Sequence, residues 1–64
     1  MEITITKHFI SGIFKGMTYC EKMKFVNWEY AINWAKGVNF KTKLDYVVSE
    51  LSDVNGTIHS MRSN

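Results

Sequence analysis

The sequence predicts an α+β fold in the order β-β-α-β-β: a mostly antiparallel four-stranded sheet with one helix packed on one face. Three observations carry the prediction. Two early stretches alternate apolar and polar residues, the mark of half-buried strands. A capped stretch with apolar residues at helical spacing follows. Near the end, Asn55-Gly56 offers the strongest short hairpin signal in the chain. All of residues 1–64 are read as a single small α+β domain.

The first strand is "EITITKHFI", with Ile3, Ile5 and Phe9 on one face and Thr4, Thr6 and His8 on the other. In "SGIFKGM", Gly12 and Gly16 bracket a reversal, and Lys15-Gly16 is read as its tight corner. The return strand "TYCEKMKFV" sets Tyr19, Met23 and Phe25 against Cys20, Lys22 and Lys24. The two strands thus form an antiparallel hairpin with an odd-numbered apolar face.

The helix is expected to start at Asn27, a good N-cap, with Glu29 in the first turn, where the helix dipole favours negative charge. Trp28, Ala31, Ile32, Ala35 and Val38 fall on one helical face. Lys36 in the last turn, Gly37 as a left-handed C′ residue and Val38 after it predict a stop there, and "NFKTKLD" then reads as a basic loop.

"LDYVVSEL" is the third strand, and Asn55-Gly56 turns it into a fourth, "TIHSMR". A two-residue type I′ loop would set Leu51 opposite Ser60; a three-residue loop with a bulge would shift every pair. The third strand is apolar on both parities, and Ile10 and Phe14 fall on the polar parity of the first hairpin. Two readings are open: a bulge that switches the facing of the strand, or a second buried surface, as in self-association. The order of strands in the sheet is also open.

Composition narrows the function. A chain this short buries only about 60% of the surface its unfolded form exposes, which makes extra burial through oligomerisation or a partner attractive. Cys20 is the single cysteine, so no internal disulfide forms, and Cys20, His8 and His59 are too few for a closed zinc site. No cofactor is expected. No apolar run approaches the roughly 18 residues of a membrane span, and "MEITITKHF" lacks the pattern of a signal peptide. A cytoplasmic protein with no membrane partner is therefore expected. The acids are scattered, neither histidine has a carboxylate orienter, and a chain of this size has little room for a pocket; Cys20 with His8 is the only nucleophile pair to consider. The chain is expected not to be an enzyme.

Binding is left. Tyr30 and Trp34 lie four residues apart, off the main helical stripe, where they either anchor a partner or fold over the sheet to enlarge the core. With them, Ile58 and Met61 on the last strand are the candidate protein-binding residues, and the sheet edges are candidate pairing surfaces. The alternative is a small nucleic-acid-binding module using a Lys-rich sheet face and loop: Lys22, Lys24, Lys41, Lys43 and Arg62. A net charge of +2 and a single arginine weigh against it, since arginine is the usual base reader.

The stretch "SGIFKGMTYCEKMKFVNWEYAINWAK" resembles small uncharacterised proteins encoded by bacteriophages and prophages. The shared features are a glycine-bracketed "SG-x-x-KG" corner, a Thr-led second strand and a capped helix carrying "WA". The resemblance implies an accessory phage protein that inhibits or redirects a host enzyme or defence complex by binding it. It carries over no functional residues. The function expected is a non-enzymatic protein-binding module, a phage-type inhibitor or adaptor, with a host protein or protein complex as partner and homodimer formation as a further possibility.

Overall fold

Strands β1 (Glu2–Phe9) and β2 (Thr18–Lys24) form the first hairpin, with Ile3 opposite Met23 and Lys7 opposite Tyr19. Odd residues of both strands share the face toward helix α1 (Trp28–Phe40), as their alternation predicts. Strand β3 (Tyr46–Asp53) pairs antiparallel with β1, and β4 (Ile58–Ser60) pairs antiparallel with β3. The computed structural model describes residues 1–41 and 44–61. Its sheet order is β2-β1-β3-β4, so the chain crosses from β2 over β1 to β3 through the helix. Both β2 and β4 are edge strands.

The core lies between the helix and one sheet face. Ala31, Ala35 and Val38 meet Ile3, Ile5, Val48 and Leu51, all buried. Small alanines let the helix approach the sheet closely, while the branched residues below fill the gap. Trp28, Ile32, Met23, Phe25 and Met61 pack around this centre, half-buried.

The apolarity of β3 on both parities resolves into a bulge. Thr6 pairs with Glu50 but Lys7 pairs with Val48, so Ser49 is the extra residue. It switches the facing of the strand, and Val48 and Leu51 both reach the helix side despite their opposite parities. No second buried surface is needed to explain the pattern. Ile10 and Phe14 lose their parity for another reason: they belong to a loop folded by bonds from the Lys15 amide to the Gly12 carbonyl and from the Met17 amide to the Phe14 carbonyl. Gly12 there has φ +79°, and a Cβ on it would sit 2.8 Å from Asp45 Oδ2. Asp45 is held in place by the Ser11 hydroxyl, which donates to its Oδ1 at 2.9 Å. Leu44 and Asp45, expected in the third strand, precede it as a bend.

The helix starts as predicted: Asn27 is extended, and its Oδ1 accepts from the Tyr30 amide at 3.0 Å. Its end does not. The helix runs through Gly37 to Phe40 and is capped at Lys41, whose amide donates to the Val38 carbonyl at 3.1 Å. Lys36 therefore lies before the last turn, and Asn39 and Phe40 are helical rather than loop. Tertiary contacts outweigh the roughly 1 kcal/mol that a helical glycine costs. Val38 is buried in the core, and the Asn39 carboxamide bonds both backbone groups of Val48.

The final turn takes the longer of the two loops. Leu51 pairs with His59, and the Asp53 amide donates to the Thr57 carbonyl at 3.0 Å, which leaves a three-residue loop, 54–56. The type I′ reading fails because Asn55 does not have positive φ; only Gly56 does, at +85°. Asp53 explains the choice. Its Oδ1 accepts from the amides of Asn55 at 3.0 Å and Thr57 at 2.9 Å, and its Oδ2 accepts from Trp28 Nε1 at 3.3 Å. One carboxylate thus ties the turn to the helix start.

Candidate protein-binding surface

An edge strand presents every second backbone N–H and C=O to whatever lies beside it. In the first hairpin, Phe25 donates to the Met1 carbonyl and Phe9 to the Met17 carbonyl, so the hydrogen-bonded pairs are the odd-numbered ones. The backbone groups of Thr18, Cys20, Lys22 and Lys24 consequently point outward along β2. Every residue of this seven-residue strand is exposed except Met23, which is half-buried. The opposite edge, β4, has only three residues, a length that limits pairing with a further strand.

The two helix aromatics divide. Trp34 is half-buried, packed against the core with its ring centroid 5.6 Å from that of Phe25, just after β2. Tyr30 lies one turn earlier on the same stripe and is 62% exposed. Tyr30 is thus free to meet a partner on the β2 side of the helix, while Trp34 mainly supports it. Ile58 is also 62% exposed, but it lies on β4 at the far edge of the sheet, and Met61 packs against the core. The four candidate protein-binding residues therefore do not form one patch.

The hairpin tip adds a surface that periodicity did not single out. Ile13 is 92% exposed, and Ile10, Phe14, Met17 and Tyr19 are exposed around it. Phe14 and Tyr19 stack edge-on against Phe9, with centroids 5.5 Å from it, and Phe9 in turn meets Tyr46. This aromatic cluster continues the helix-side face of the sheet and leads directly into the start of β2. Lys7 lies over the Tyr46 ring at 4.8 Å and pairs with Glu21 at 3.1 Å.

The basic residues are dispersed. Lys22 and Lys24 stand on the sheet face away from the helix, together with Glu2 and Glu50, and Lys22 approaches Glu2 at 4.0 Å. Lys41 caps the helix at the other end of the domain. Lys43 and Arg62 lie outside the described residues. Cys20 is exposed, with its Sγ 3.7 Å from Thr6 Oγ1, while His8 Nδ1 lies 3.4 Å from Thr18 Oγ1; the two share a face without touching as a pair. His59 lies on the opposite face of the sheet, beside Leu51. No group of three or more His, Cys, Asp or Glu side chains gathers among the described residues. No helix among them is long and apolar enough to cross a membrane.

The chain has more concave surface than its length suggests. An open groove of about 990 Å³ lies along β3, and its lining includes Phe40, Met61, His8, Lys36 and His59. Among the described residues, its lining includes no carboxylate that could orient an imidazole. No protein-family model, curated protein or solved structure matches this chain.

Proposed function

We propose that the protein is a non-enzymatic protein-binding module that takes its partner at the β2 edge, flanked by Tyr30 and the apolar hairpin tip. The observation that carries this reading is the open edge: a seven-residue strand exposed along its length, with outward backbone groups at Thr18, Cys20, Lys22 and Lys24. Main-chain hydrogen bonds to an added strand would supply affinity, and neighbouring side chains would supply selectivity. Tyr30, Ile13 and Met17 offer apolar area beside that edge. The resemblance to phage accessory proteins fits an inhibitor or adaptor that acts on a host enzyme or defence complex. A cytoplasmic setting fits the exposed thiol of Cys20, which stays reduced there.

The dispersal of Lys22, Lys24 and Lys41 favours this reading over nucleic-acid binding, which needs a continuous basic footprint. The test is a Lys22→Pro variant. Proline is tolerated at an edge position whose N–H faces solvent, but it removes a donor and blocks an added strand. Immobilised wild type is expected to retain a bacterial host protein through nuclease treatment and raised salt, and K22P with an unchanged circular dichroism spectrum is expected to lose it. Capture that vanishes with nuclease, or falls steeply with salt, would instead support the lysine surface.

A further inference from the structure

We propose that β2 also pairs antiparallel with β2 of a second copy of this chain, about a twofold axis at Cys20. The proposal rests on the reading of β2 as the binding edge and names one partner for it. Twofold pairing must set even residues opposite even residues, because only Thr18, Cys20, Lys22 and Lys24 direct backbone groups outward. Within Thr18–Lys24, registers centred on Cys20, Glu21 or Lys22 overlap over at least five strand residues.

Charge separates these three. Centring on Glu21 sets Glu21 opposite its own copy, and centring on Lys22 does the same for lysine; like charges directly opposite are destabilising. Centring on Cys20 sets Thr18 opposite Lys22 and Tyr19 opposite Glu21, each twice by symmetry, with Met17 opposite Met23 just outside. No like charges face each other. Tyr19 and Glu21 are exposed on the helix-side face, where a tyrosine hydroxyl can donate to a carboxylate, and the Lys7–Glu21 pair persists within each protomer. Glu21 thus excludes one register and Lys22 another, which is how edge charges discourage unwanted pairing. The result is a continuous eight-stranded sheet, twice the four strands of one copy.

Sedimentation equilibrium and nitroxide distances test the proposal together. Wild type is expected to dimerise below about 1 mM, the weak end of specific association, and K22P to remain monomeric. Thr18→Lys places like charges opposite Lys22 twice and Thr18→Glu places opposite charges there, so the dimer dissociation constant is expected to rise and fall, respectively, by roughly 2- to 30-fold. These two variants keep the test decisive should K22P fail to fold. On a Cys20→Ser background, labels at His8→Cys and Glu2→Cys report the register. With strands about 4.8 Å apart and a rise of about 3.4 Å per residue, the Cα separations across the dimer are about 20 Å at position 8 and about 31 Å at position 2.

Equal distances at the two positions would mean centring on Glu21, and the reverse order would mean centring on Lys22; either overturns the proposal. So does a monomer at about 1 mM, or a K22P variant that dimerises like wild type. If the wild type is monomeric while K22P still loses its captured host protein, the edge binds a foreign strand and self-pairing alone fails.

Discussion

Replacing Asn39 with alanine should destabilise the domain more than any other change to an uncharged polar side chain on the helix. Asn39 sits where β3 runs past the end of β4, and its carboxamide substitutes for a neighbouring strand. Its Oδ1 accepts from the Val48 amide at 2.6 Å, and its Nδ2 donates to the Val48 carbonyl at 2.8 Å. Val48 itself is buried. Each bond contributes about 1 kcal/mol net, and water can partly replace them at this half-buried edge, so the loss is about 2 kcal/mol. In a domain of this size that lowers Tm by roughly 8–16 °C. Thermal and urea unfolding followed by circular dichroism read the loss, and hydrogen exchange at the Val48 amide reads its location. The N39D variant keeps an acceptor for the amide but sets a carboxylate against the Val48 carbonyl. It should be at least as unstable near neutral pH and recover as the pH falls, because the protonated carboxyl regains a donor. An N39A variant within about 0.5 kcal/mol of wild type, the range of ordinary surface changes, with Val48 exchange unchanged, would refute the reasoning.

The remaining expectations concern the hairpin tip and the helix aromatics. Gly12→Ala should cost about 2–3 kcal/mol, since it combines a left-handed backbone with a contact against Asp45, whereas Gly16→Ala, with nothing within 4 Å, should cost only the roughly 1–2 kcal/mol of the backbone itself; equal losses would remove the Asp45 contact from the account. Trp34→Ala should lower stability by about 2–3 kcal/mol, below the range for a fully buried aromatic. Tyr30→Ala should stay within about 0.5 kcal/mol of wild type yet weaken partner capture, and unfolding curves beside capture assays would separate the two roles.

Much of the fold is legible in the residues because local signals and tertiary contacts agree there. Period-two alternation in β1 and β2, the Asn27 cap and the Ala31–Ala35–Val38 stripe each point to the element that forms. The helix end is not legible because Gly37 looks like a stop, and nothing local reveals that Asn39 bonds a strand nine residues away. The last turn was ambiguous for the same kind of reason: Asn55-Gly56 favours two residues, but the Asp53 carboxylate gathers the amides of a longer loop. At the candidate surface, the alternation of β2 is readable, whereas spacing leaves open which of Tyr30 and Trp34 is exposed, and Trp34 and Met61 turn inward through contacts that spacing does not encode. The exposed tip around Ile13 shows in the sequence only as a corner, since the pattern of a loop says little about which way its side chains point.

The central claim is that the outward amides of β2 are the groups a partner strand engages. Residue-resolved hydrogen exchange across a concentration series tests it most directly. In dilute protein, Thr18, Cys20, Lys22 and Lys24 should exchange fast while Tyr19, Glu21 and Met23, bonded to β1, exchange slowly. As association proceeds, Thr18, Cys20 and Lys22 should slow, Lys24 lies outside the five-residue overlap and should stay fast, and the slow set should remain slow. Association that leaves Thr18, Cys20 and Lys22 exchanging at their dilute rate would contradict the account and place the binding surface elsewhere.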